Sequence, residues 1–224
     1  MLRRANETRP QLVCVIADDS ASMMGPKASA ATQGIREMLL RCQTMGPRGP
    51  NRSCFRFALI TFSTHAAVYP GCDAVPVREI DPNQILIEGS GGNTNLAEAL
   101  ELAHVGVSRY IQHMATHPGR DAFPLPVVLV FSDGMNNHGD PLGPAKKIRS
   151  LELDGCPVTI AAAGISCEDE DLDERTLRAI ASPECYLRVG DLRLLTRFLA
   201  EIGSSCAPGS RAIAEQMKRL SLHS

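Results

Sequence analysis

Three short stretches of the sequence carry oxygen-bearing side chains at spacings that suit a hard metal ion. Asp18-Asp19-Ser20-Ala21-Ser22-Met23 follows an apolar run and offers a carboxylate and two hydroxyls at alternate positions, Asp18, Ser20 and Ser22. Alternate residues of a tight loop can converge on one point. Phe131-Ser132-Asp133-Gly134 ends a later apolar run with a second carboxylate, Asp133, and a glycine for a sharp turn. Between them in sequence, Gly91-Gly92-Asn93-Thr94-Asn95-Leu96 opens a helical stretch and adds a third hydroxyl, Thr94. Brought face to face, these five residues make two carboxylates and three hydroxyls, with no imidazole or thiolate among them. Such donors select Mg²⁺, Mn²⁺ or Ca²⁺ over Zn²⁺ or Cu²⁺, and Mg²⁺ is the first expectation. The set leaves a coordination position for an outside ligand. D-x-S-x-S alone is equally the pattern of a loop with helix-capping serines. Thr94 and Asp133 at element ends are what favour the metal.

Positioning these residues requires strands that stop abruptly. Leu12–Ala17, Phe57–Phe62, Pro126–Phe131 and Val158–Ala163 are continuous apolar runs, as expected of parallel strands buried on both faces. Ile85–Glu88 and Glu184–Val189 are weaker strand candidates. Helical periodicity fills the intervals at Ala28–Cys42, Leu96–His113, Ala145–Leu153, Leu172–Ala181 and Leu192–Ile202. The alternation predicts an open α/β fold, a mostly parallel sheet with helices on both faces. Ligands of such sheets bind at the carboxyl ends of the strands, where Asp18 and Asp133 fall. The breaks at Gly46–Asn51 and Thr116–Pro126 are too short for interdomain linkers. We therefore expect an N-terminal extension over 1–11, one domain over 12–203 and a tail over 204–224. In that tail Ile213, Met217 and Leu220 share one face of an amphipathic helix, expected to pack back on the core.

Asp18-x-Ser20-x-Ser22, Thr94 and Asp133-Gly134 resemble the metal-ion-dependent adhesion site of von Willebrand factor A domains, with all five positions matched between about Leu12 and Ile202. The resemblance implies a Rossmann-like fold and a metal-dependent module for binding another protein, whose Asp or Glu would complete the coordination. It also implies that direct contact of Thr94 with the ion marks the open, high-affinity arrangement. The stretch from Gly91 through Leu100 is similar to bacterial stand-alone proteins of the tellurite-resistance type, implying work beside kinases and phosphatases in stress signalling. Asp19 departs from the family, which often has an uncharged residue there.

Twenty-three Lys and Arg against 25 Asp and Glu leave a net charge of -2, which argues against a nucleic-acid partner. Met1–Gln11 is polar and no apolar segment behind it suits a signal peptide or a membrane helix, so a cytoplasmic protein is expected. The eight cysteines form no C-x-x-C and read as structural thiols. An Mg²⁺-dependent phosphoryl-transfer or hydrolytic enzyme is the rival reading. It weakens on several counts. Position 20 is Ser where a dehalogenase-like phosphatase needs Asp, and no strand-end Asp after Phe62 supplies a receiver's phosphoryl acceptor. No G-x-S-x-G elbow or Walker motif occurs. No Lys, His or Cys is expected beside the ligands, although folding could bring His65 or His138 near. His113 and His117 have the spacing of a zinc pair but lack the intervening Glu and read as helix-end residues. The acidic run Glu168–Asp171, with Asp173 and Glu174, reads as a solvated entry to a helix.

Overall fold

The computed structural model describes residues 10–44, 55–116, 124–133, 136–153, 155–166, 172–203 and 210–222. Gly46–Asn51, His117, Gly134 and Glu168–Asp171 lie outside the described residues, as do Cys54, Cys167 and Cys206. The strands are β1 (Gln11–Asp18), β2 (Phe55–Phe62), β3 (Ala66–Val68), β4 (Val75–Pro76), β5 (Val127–Ser132), β6 (Glu152–Leu153), β7 (Cys156–Pro157), β8 (Thr159–Ile165) and β9 (Tyr186–Val189). The helices are α1 (Pro26–Thr44), α2 (Leu96–Thr116), α3 (Leu142–Arg149), α4 (Glu174–Ile180), α5 (Leu192–Gly203) and α6 (Ser210–Ser221).

The main sheet runs β3-β2-β1-β5-β8-β9, with β4 also paired to β2. From β2 to β9 every pairing is parallel, and β3 and β4 add antiparallel pieces at one edge. All eight residues of β1 are buried because helices cover both faces. Val13, Val15 and Ala17 join α1, α5 and α6 in one core, while Leu12, Cys14 and Ile16 join α2, α3 and α4 in the other. The two-residue period of a strand thus serves two cores from one apolar run. Four thiols, Cys14, Cys42, Cys72 and Cys185, are buried, and Cys156 is exposed.

Four expectations need correction. Ile85–Glu88 is not a strand, because its backbone is satisfied by side chains. Thr32 Oγ1 accepts from Ile87 N–H at 2.9 Å, Arg36 donates to the Ile85 carbonyl and Tyr69 Oη accepts from Leu86 N–H. The helix expected to reach Leu153 ends at Arg149, and Leu153 turns into the β6–β7 hairpin. The helix expected from Leu172 begins at Glu174, where the Asp173 carboxylate caps Thr176 N–H at 3.0 Å. Gln11, assigned to an extension, is the first residue of β1.

Candidate metal centre

β1 pairs with β2 on one side and β5 on the other, so the strand order reverses beside it, and in open sheets of this kind ligands bind outside the carboxyl end at that point. Asp18 closes β1 there, and Asp133 follows Ser132 at the end of β5. A 3₁₀ turn over Ala21–Met23, with Met23 N–H donating to the Ser20 carbonyl at 3.0 Å, folds the loop back on itself. Ser20 and Ser22 then share a 3.0 Å hydroxyl contact, and Ser22 Oγ donates to Asp133 Oδ1 at 2.6 Å. Asp18 is fully buried; its Oδ1 accepts from Ser20 N–H at 2.9 Å and its Oδ2 from the Ser132 hydroxyl. Burial pushes Asp18 up to about 6, against the lowering pull of the Ser132 and Ser20 hydrogen bonds, and the Asp133 carboxylate adds to the rise.

Thr94 is held beside this cluster by its neighbours. Asn95 N–H donates to the Ser63 carbonyl at 2.8 Å and Asn93 N–H to Thr64 Oγ1 at 3.1 Å, while the Thr94 carbonyl accepts from Asn137 N–H at 2.9 Å. Ser20 bridges to Gly91, which brings the two loops into contact. Small residues are required for that approach: a Cβ on Gly91 would lie 2.1 Å from Ser63 Cβ, and one on Gly89, at φ +66°, 2.4 Å from Met24 N. Thr94 is 4% exposed.

The structure brings Asp18, Ser20, Ser22 and Asp133 into one hydrogen-bonded cluster with the Thr94 loop alongside. Its donors are those of a hard divalent cation, and two buried carboxylates with hydroxyls beside them fit one. Among the described residues no three His, Cys, Asp or Glu side chains gather to hold a metal, here or elsewhere, so this centre rests on two carboxylates and on hydroxyls. Of the two histidines, His138 Nε2 meets Asn93 Nδ2 at 3.2 Å, and His65 is exposed near Glu98.

The expectation that no lysine stands beside the ligands is wrong. Lys27, in the first turn of α1, places Nζ 2.6 Å from Asp133 Oδ2 and 3.4 Å from the Ser22 carbonyl. Both partners are buried. The signal was present in the sequence: a lysine five residues past Ser22, directly after Gly25-Pro26, sits at a helix start where a cation opposes the dipole. Asp19 joins a different network, its Oδ1 accepting from Glu88 N–H at 2.9 Å and Gly89 N–H at 2.6 Å.

With this geometry, comparison with known proteins becomes informative. The family model described as von Willebrand factor type A domain matches residues 13–201. A search of curated proteins by sequence finds no match. Among solved structures, proximal thread matrix protein 1 from the mussel byssus, described with a zinc-occupied MIDAS motif, superposes with a TM-score of 0.63 at 20% identity, covering 90% of this chain and 49% of that one. The chain therefore spans about half the length of the mussel protein. The pilus adhesin SpaC of Lactobacillus rhamnosus GG gives 0.62 at 14% identity, over 96% of this chain and 32% of that one. Manganese-loaded TRAP protein of Plasmodium vivax gives 0.54 at 12% identity, over 92% and 74%. At these identities the likeness is one of fold.

Proposed function

The chain belongs to the von Willebrand factor type A domain family, generally a class of metal-dependent protein-interaction modules, and from that premise we infer that it captures a partner protein through a divalent cation held by Asp18, Ser20, Ser22, Thr94 and Asp133. The observation that carries this reading is the convergence of two buried carboxylates and the serine hydroxyls at the carboxyl end of β1, with the loop of the buried Thr94 bridged to Ser20 through Gly91. Mg²⁺ is the ion proposed, on the all-oxygen donor set. Zinc in the mussel protein and manganese in the Plasmodium protein support a divalent ion.

In this reading the protein supplies ligands and the partner supplies the last one. An ion facing two carboxylates and neutral hydroxyls keeps enough electrophilic character to take an Asp or Glu from outside. Lys27, paired with a buried carboxylate, acts as a counter-charge and not as a base, so the reading remains one of binding rather than catalysis. A bacterial stress-signalling setting among kinases and phosphatases, in the cytoplasm, is the finer proposal; it is supported by the resemblance of Gly91–Leu100 alone. No helix among the described residues is long and apolar enough to cross a membrane.

Titration with MgCl₂ or MnCl₂ during thermal unfolding tests the site. An ion that binds only the folded state raises Tm with concentration, because it stabilises that state by about 2.7 kcal/mol at a hundred times Kd. Asp18→Ala and Asp133→Ala should remove that response while retaining the fold. A full response in either variant would show the ligand set to be wrong.

A further inference from the structure

Asp133 is the one carboxylate of the centre already matched with a positive charge, and the charge comes from within the chain. Its Oδ1 accepts from the Ser22 hydroxyl at 2.6 Å and its Oδ2 from Lys27 Nζ at 2.6 Å, and the Asp133 side chain is fully buried. The Lys27 side chain is only 10% exposed, so little water screens the pair. Three features of the sequence put Lys27 there. Gly25, at φ +85°, turns the chain out of the metal loop, Pro26 starts α1, and Lys27 follows within the first turn. A cation in that turn opposes the helix dipole, and its burial adds a desolvation cost. A residue that breaks a local rule in this way marks a place where another demand wins. The contact with Asp133 is that demand.

We propose that the Lys27 ammonium is a tethered cation that competes with the divalent ion for Asp133 and sets the metal affinity of the centre. The inference rests on the metal reading above. An incoming ion that takes Oδ2 must share it with the ammonium or displace it, and at Oδ1 the ion meets an oxygen that already accepts from Ser22. The tether gives Lys27 a high effective concentration at that oxygen, and a divalent ion placed nearby is repelled by it. Occupancy of the centre is therefore linked to the position of one side chain. In low metal the lysine neutralises Asp133 and holds the Ser22 end of the loop to α1. In high metal it gives way.

The experiment is isothermal calorimetry of the full chain with MgCl₂ and MnCl₂, in parallel with thermal unfolding in EDTA, for the wild type and Lys27→Met, Lys27→Gln, Lys27→Arg and Asp133→Asn. Lys27→Met and Lys27→Gln should bind either ion more tightly, by about tenfold, the usual size of such couplings. Both should melt earlier than wild type in EDTA and regain the difference in saturating Mn²⁺. Lys27→Arg, which keeps the charge, should stay near wild type. A purely structural lysine would lower Tm without tightening metal binding. Met and Gln variants with unchanged or weaker affinity, beside a wild type that binds, overturn the competition and leave the metal centre standing. Metal uptake by the Lys27 variants and not by wild type supports both readings; uptake by none overturns both.

Discussion

Asp19 lies one residue beyond a proposed ligand, yet its carboxylate serves the neighbouring loop. By accepting two backbone N–H groups from Glu88 and Gly89 it fastens the segment that precedes Gly91, and the Asp19 carbonyl adds a third bond from Gly91 N–H at 2.9 Å. Hydrogen bonds to a charged acceptor are worth about 1.5–3 kcal/mol each when partly buried, less at the exposed Glu88 end. Asp19→Ala should therefore cost about 1–3 kcal/mol in urea unfolding, with and without metal, and Asp19→Asn, which keeps an acceptor, less. An Asp19→Ala loss seen only with metal present would instead make Asp19 a ligand. At this scale the five proposed ligands were legible because residue type and alternate spacing carry the chemistry. Lys27 carried a local signal, a cation at a helix start, but its partner did not show, because Asp133 lies 106 positions away.

The helices on the α1 side show what one small residue can decide. Gly34 faces α5, where an added Cβ would lie 2.8 Å from Leu199 Cδ1 and 3.1 Å from Thr196 Cα. Alanine gains up to about 1 kcal/mol of helix propensity over glycine. Overpacking costs about 1–3 kcal/mol, and here the backbone at Thr196 cannot rotate away as the Leu199 terminus can. Gly34→Ala should consequently lower stability by about 1 kcal/mol, measured in thermal or urea unfolding. A gain would mean that α5 shifts freely. The long strands and helices were readable from the sequence because burial on both faces leaves an unbroken apolar run. The segment Ile85–Glu88 looked like one of them, since Ile85-Leu86-Ile87 is also an unbroken apolar run. It differs because its polar backbone is met by Thr32, Arg36 and Tyr69, contacts no periodicity reveals. β3 and β4 escaped notice for the opposite reason, being two or three residues long and only partly buried.

Across the whole molecule, α6 is part of the fold. Ile213, Ala214, Met217 and Leu220 are buried in the same core as α1 and α5, and Lys218 Nζ meets Glu184 Oε2 at 2.6 Å. The three apolar positions were legible as a helical face; where that face docks was not, since nothing local specifies the partner surface. Ile213→Ala should cost about 2–5 kcal/mol through the cavity it leaves, visible as a lower Tm. An unchanged Tm would detach the helix from the core in solution. The way the two ends of the fold are held has a mechanical consequence. β1 is laddered to β2 along all eight residues and to β5 over Val13–Ala17, so tension on the chain ahead of it loads those bonds together, in shear. α6 belongs to no strand ladder and can be peeled away a turn at a time. Under load the molecule would therefore surrender its C-terminal helix first, while the loop at the far end of β1 kept its shape and its grip.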